Sequence, residues 1–226
     1  MDGAATGLYE RLTAGAMHTS SIAYHQGELQ VALDAGNPQR LVPNPGDAAA
    51  ILDIGCGAGQ TIVALGAAER SVGVDIDVAA LRVAAGGPLG EPLRVAAAQG
   101  EYLPFADAAF DYVYSRVALP YMNIPVALAE MARVLQPGGR LWLALHPIAI
   151  PAEQFRRGNI KGKVYSLYTM LNGAWFHLTG RTLRLPGGVC ESIQTRRGMR
   201  IALRRAGFRN VVFHRTPVHF TVMAER

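Results

Sequence analysis

Several things are scarce in this chain of 226 residues, and each absence removes a class of protein. It has two cysteines, which give neither a disulfide framework nor metal-ligand spacing. With the redox chemistry of paired thiols absent, the expected compartment is the reducing cytoplasm. No basic segment followed by an apolar one stands at the start, so no signal peptide is expected. The longest apolar run, 141–145, continues past His146 and Pro147 only to Ile150, too short and too interrupted for a membrane span. Charge is sparse at 17%, while 50% of residues are hydrophobic, which fits a folded chain with a sizeable core and excludes disorder.

The charge that is present is unevenly placed. Residues 1–150 carry 8 Lys+Arg against 14 Asp+Glu, a balance of −6, and residues 151–226 carry 14 against 3, a balance of +11. A basic third can attract an anionic substrate, a nucleic acid or a membrane surface. The arginines at 196, 197, 200, 204 and 205 fall largely on one side of one expected helix with no aromatic interleaving. They read as a solvated face, and nucleic acid is disfavoured as a partner.

The organising stretch is Ile51-Leu-Asp53-Ile-Gly55-Cys56-Gly57-Ala-Gly59-Gln-Thr61. A buried strand runs into glycines at alternate positions and straight on into a helix, expected over about 59–69. Such a turn opens the first βα unit of a nucleotide-binding α/β protein, because only glycine lets the backbone bend sharply and lie against the ligand. Alternation continues downstream. Strands are expected at 71–77, 93–97, 110–115 and 140–145, with helices at 78–85 and 124–135. A helix over 194–206 and a hairpin made of 209–214 and 218–224 follow. The fold class is therefore α/β, a Rossmann-like, doubly wound and mainly parallel seven-stranded sheet ending in an antiparallel hairpin. Residues 1–48 form a helical leader, with weak helix at 7–17 and a stronger one from Ser20 to Leu33. Residues 49–226 form the main domain, and 148–193 are an insertion after the fifth strand.

Spacing narrows the ligand. Asp75 stands 20 positions after Gly55, where an acid at the end of the second strand accepts from both hydroxyls of a ribose. Gln60 occupies the place of the third glycine, so the dinucleotide fingerprint is not met and an NAD-dependent dehydrogenase ranks last among the readings, and no Lys-Ser/Thr pair follows, which excludes a P-loop. Asp53 would repel a pyrophosphate and suits an ammonium group.

Together with Val72-Gly-Val-Asp-Ile-Asp77, Leu103-Pro-Phe105, Phe110-Asp111 and Glu130-Met-Ala-Arg-Val-Leu-Gln-Pro-Gly-Gly139, these motifs resemble class I S-adenosylmethionine-dependent methyltransferases of the small-molecule type, over about residues 50–146. The resemblance implies S-adenosyl-L-methionine as cofactor, S-adenosyl-L-homocysteine as product, and methyl transfer to O, N or C of a small acceptor. It places the backbone of Gly55, Cys56 and Gly57 around the methionine part, with Asp53 near its amino group. Asp75 takes the ribose, Ile76 packs on the adenine, Gln99 and the Gly100 backbone contact its edge, and Ser115 offers backbone to the amino group. Gln99 stands where the family usually has Asp. Asp111 and the Glu130–Arg133 pair read as structural. His146 and Tyr121, near the carboxyl ends of strands five and four, are the candidate acceptor-site residues or bases. Tyr24, His25, Tyr165, Trp175 and His177 are candidates for an acceptor lid. No metal is expected, and the oligomeric state is left open. The rival readings are an RNA or protein methyltransferase and a non-catalytic S-adenosylmethionine-binding protein.

Overall fold

The computed structural model describes residues 22–37, 39–87, 89, 91–145, 159–185, 190–215 and 220–226. His146, the weak helix expected at 7–17, and the turn at Thr216-Pro217 lie outside the described residues. So does the side chain of Tyr24.

The chain order is α1 (Ile22–Leu33), β1 (Ile51–Ile54), α2 (Gln60–Leu65), β2 (Ser71–Asp75), α3 (Val78–Gly86), β3 (Val95–Ala97) and β4 (Phe110–Arg116). Then come α4 (Ile124–Val134), β5 (Leu135–Leu145), α5 (Ile160–Thr179), α6 (Arg196–Arg205), β6 (Arg209–Arg215) and β7 (Phe220–Glu225). They make a seven-stranded sheet of order β3-β2-β1-β4-β5-β7-β6. The strands β1 to β5 are parallel, and β7 runs antiparallel to both β5 and β6. The sheet reverses direction of growth between β1 and β4, the switch point at which such sheets bind ligands beyond their carboxyl ends.

Every residue of β1 is buried, as expected of a strand covered on both faces. Leu52, Ile54, Val113, Leu141, Leu143, Leu128, Met131 and Phe176 belong to the larger cluster on one face. Ile51, Tyr112, Tyr114, Trp142 and Leu41 fill the other face. Each fully buried large side chain contributes about 1.5–3 kcal/mol from burial, so these layers dominate the stability. Leu143→Ala, at the centre of the larger layer, is expected to cost about 2–5 kcal/mol.

Strands β2 and β3 are shorter than the sequence expectation, and three further differences have a visible cause. Helix α2 stops at Leu65 because Gly66 takes a left-handed conformation (φ 58°) and caps it, and a short 3₁₀ turn, Ala68–Arg70, completes the connection. Strand β5 begins at Leu135, where Leu135 pairs with Phe110 ahead of an irregularity in the ladder. Its Gly138-Gly139 pair then bonds the chain end, Gly138 N–H donating to Arg226 and Arg226 N–H to Gly139. The insertion contains a 20-residue helix, α5, capped by Asn159, whose side chain accepts from the Gly162 N–H. Helix α5 packs closely on α6, since a Cβ on Gly198 would stand 2.5 Å from the Phe176 carbonyl oxygen.

Candidate functional site

The glycine turn is built as its spacing requires. Gly55, Gly57 and Gly59 all have positive φ (77°, 55° and 78°), a region that side chains with a Cβ rarely adopt. At Gly55 the demand is also steric, because an added Cβ would lie 2.2 Å from the Ala118 Cβ. Cys56 is 3% exposed and its sulfur packs on Gly73 of β2, where a Cβ would meet it at 2.6 Å. Burial pushes its thiol pKa well up, so Cys56 is a packing residue of the turn, and its side chain is no nucleophile.

Two carboxylates frame this turn. Asp75, ending β2, accepts from the Gly57 N–H at 2.8 Å and from the Asp77 N–H at 2.9 Å. Each oxygen keeps lone pairs for further donors, so its carboxylate is fixed in place yet still able to take two hydroxyls. Asp53 is 1% exposed, and its Oδ1 has no hydrogen-bond partner among the described residues. Burial pushes its carboxyl up to about 7, opposed by the neighbouring Tyr114 and by Arg116. The Tyr114 hydroxyl faces that carboxyl, and burial together with the neighbouring Asp53 charge pushes its pKa well up. The buried Gln60 Oε1 completes a set of unsatisfied oxygens around the turn. Buried acceptors without donors are costly. An ammonium group is a donor of the kind they lack.

The remaining cofactor candidates lie along the same sheet edge. Ile76, directly after Asp75, is 69% exposed, an apolar side chain left open as an adenine platform would be. Gln99 is exposed, and its carbonyl accepts from the Tyr102 N–H. Gly100 is buried, and a Cβ there would meet the Met122 sulfur at 2.6 Å. Ser115 is fully buried and its hydroxyl donates to the Ile54 carbonyl at 2.8 Å, tying β4 to β1.

Other expected residues separate. Tyr121 sits on the 3₁₀ turn Leu119–Tyr121 after β4, 42% exposed. His25 is buried on α1 with its ring against Gly57 and Gln60: a Cβ on Gly57 would lie 3.5 Å from the His25 Cε1. Burial lowers its pKa, opposed by Asp77 and Gln60. The three candidates on α5 are divided. The Tyr165 hydroxyl donates to the Glu191 carboxylate and His177 Nδ1 lies 3.0 Å from the Thr195 hydroxyl, both toward the inner side, whereas Trp175 points outward.

Some residues of the site carried no readable signal. Glu28 on α1 forms an ion pair with Arg116 at the end of β4, so the leader helix is anchored beside Asp53. Val117 has φ 64°, a costly conformation for a β-branched residue. It turns the chain so that Ala118 lands on Gly55. The structural readings hold for the rest. Asp111 accepts from the Ala49 and Ala50 N–H groups, and Glu130 accepts from the Leu103 N–H and from Arg133.

Against known proteins, residues 52–143 match the family described as a methyltransferase domain. The chain thus contains a stretch similar to a methyltransferase domain. It is 38% identical over 106 residues to an uncharacterized methyltransferase of Bacillus subtilis, covering 46% of this chain and 45% of that one. It is 37% identical over 114 residues to an O-methyltransferase of Pyrenophora dematioidea, covering 46% and 41%. The match therefore spans less than half the length of these curated relatives. In structure it is similar to a SAM-dependent methyltransferase of Thermotoga maritima, titled a possible histamine N-methyltransferase, with a TM-score of 0.55, 18% identity and 97% and 95% of the two chains covered. At that identity the likeness concerns the fold. The matched stretch holds every cofactor-site candidate from Asp53 to Ser115.

Proposed function

We propose that the protein transfers the methyl group of S-adenosylmethionine to an oxygen, nitrogen or carbon atom of a small-molecule acceptor. The observation that carries this is the pairing of the Asp75 carboxylate, fixed by the Gly57 N–H, with the unsatisfied Asp53 Oδ1 inside a methyltransferase domain. When bound, the cofactor supplies a methyl already activated on a sulfonium and leaves as a neutral thioether. The chain's own task is to bind, align and exclude water.

In this reading Asp75 accepts from the ribose hydroxyls and Ile76 covers the adenine face. Gln99 and the Gly100 backbone take its edge, with the amide giving a bond that lacks charge assistance. The backbone of Gly55, Cys56 and Gly57 lines the methionine part, Asp53 accepts from its ammonium group, and the Ser115 backbone contributes at the end of β4. Helix α1, pinned by Glu28–Arg116 with His25 on the turn, closes that side. A base is needed only for an acceptor that must lose a proton, and Tyr121 and His146 are assigned that role. The O-methyltransferase name of one relative favours oxygen as the acceptor atom.

Calorimetry with S-adenosylhomocysteine on the wild type and on Asp75→Ala tests the reading. Micromolar binding by the wild type and its loss in the variant are expected, and a wild type that does not bind would sink it.

A further inference from the structure

Helix α5 buries Phe176 and Gly173 but also a polar row, and it leaves six of its other large apolar residues outside. Its buried residues include Ser166, Thr169 and Asn172, whose amide bonds the Leu183 and Glu191 carbonyls and the Leu183 N–H. Its exposed residues include Ile160, Val164, Leu167, Leu171, Trp175 and Leu178, at 82%, 64%, 48%, 60%, 43% and 62%. At 3.6 residues per turn these six fall within an arc of about 100° and extend for roughly 27 Å. Beside the stripe opens a groove of about 380 Å³, lined by Met170, Gly173, Ala174, His177, Leu178, Ile193 and Thr195. A continuous apolar stripe of this size marks an interaction surface.

Charge decides the occupant. Between residues 154 and 190 there is no Asp or Glu, and six Lys and Arg. Lys161 and Lys163 are exposed on the two flanks of the stripe at its start, and Arg181 and Arg184 are exposed just beyond its end. A second copy laid antiparallel on the stripe would bring lysines against arginines at both ends, and a parallel one would bring lysines against lysines. An anionic surface instead neutralises every flank, at about 1 kcal/mol per basic residue, while the apolar arc enters the boundary between headgroups and acyl chains. Among the described residues no helix is long and apolar enough to cross a membrane, so the contact is a lateral one.

We propose that α5 docks the protein on an anionic lipid bilayer surface, apolar stripe inward and Lys161, Lys163, Arg181 and Arg184 among the headgroups. Neither the stripe nor its flanks contributes a cofactor-binding residue, so the inference stands apart from the methyl-transfer reading. The chain provides its own reporter, because Trp142 is 7% exposed and Trp175 lies on the stripe, leaving Trp175 to dominate any change in emission.

The test is co-sedimentation and tryptophan emission of the full chain with vesicles of phosphatidylcholine alone or with 30% phosphatidylglycerol, about a third anionic lipid being enough to draw basic flanks. Binding to the anionic vesicles only, a blue shift, and release by salt are expected. Leu167→Glu/Leu171→Glu should lower partitioning about tenfold or more, and Lys161→Glu/Lys163→Glu severalfold, with unchanged circular dichroism and S-adenosylhomocysteine binding. Three outcomes overturn the proposal. One is no binding to anionic vesicles. Another is a lipid-free dimer that Leu167→Glu/Leu171→Glu dissociates, which assigns the stripe to a second copy. The third is a lipid-free monomer whose Trp175 is already shielded from acrylamide, which assigns it to the chain itself.

Discussion

From Ile51 to Leu145 the chain uses several of its carboxylates on backbone and buries one. Asp75 holds Gly57, Asp111 holds Ala49 and Ala50, Glu130 holds Leu103, and Asp53 is buried at the turn. From Ile160 onward it turns cations outward, with exposed arginines along α6 and an exposed apolar stripe on α5. Even there some arginines are committed, Arg205 to the Thr179 carbonyl and Arg200 to the Phe213 ring face. In the readings proposed above, the first region serves an internal ligand carrying donors and positive charge, and the second serves an external, negative surface. The two proposals thus draw on separate parts of one sheet-based fold.

That division can be broken most sharply at Asp75. Asp75→Ala is expected to weaken S-adenosylhomocysteine binding by about a hundredfold or more, since charge-assisted bonds to two hydroxyls go with it. Vesicle binding should not move. If calorimetry shows both affinities falling together, the two regions are not independent.

Gly55→Ala tests how tightly the turn is built. A left-handed φ of 77° and a Cβ placed 2.2 Å from that of Ala118 should cost about 2 kcal/mol or more. Urea denaturation of wild type and variant reads this directly, and equal midpoints would show the turn to be adaptable.

A pH series sharpens the role of Asp53. Its carboxyl is raised from the ordinary value to about 7 by burial, so the folded state favours the protonated form. The stability this lends the ligand-free protein is fully present below the unfolded value near 3.8 and is lost as pH rises through about 7. The melting temperature of wild type relative to Asp53→Asn should therefore fall across that window. Affinity for an ammonium-bearing ligand should run the other way, rising about tenfold from pH 6 to pH 8. A flat profile in both measurements would remove Asp53 from the ammonium site.

The smallest effect belongs to Glu130. Glu130→Ala leaves the Leu103 N–H and Arg133 short of an acceptor and should cost about 1 kcal/mol in thermal unfolding, with cofactor affinity nearly unchanged. A large loss of affinity would mean that the Leu103-Pro-Phe105 loop is part of the site.

Much of this arrangement was legible in the sequence because glycine, proline and alternating apolar runs punctuate it from Ile51 to Leu145. The five parallel strands follow from that punctuation and the hairpin from the two β-rich runs near the C-terminal end, and Asp53 and Asp75 stand out by position alone. Helix α5 was legible only as a break in rhythm. Ser166, Thr169 and Asn172 face inward beside Phe176 while six large apolar residues face outward, which blurs the pattern by which a surface helix is recognised. The end of α2 depended on which conformation Gly66 adopts. Glu28–Arg116 and the Val117 bend joined the site through contacts between distant segments, which no local spacing encodes.

The two free thiols, Cys56 at 3% and Cys190 at 4% exposure, have a consequence for measurement. One lies in the glycine turn and the other beside α5, and burial pushes both pKa values up. In the folded chain neither should react with an alkylating reagent until its own neighbourhood opens. Their separate labelling rates act as two clocks, one for breathing of the cofactor turn and one for lifting of the helix. A cofactor should slow the first, and a bilayer the second.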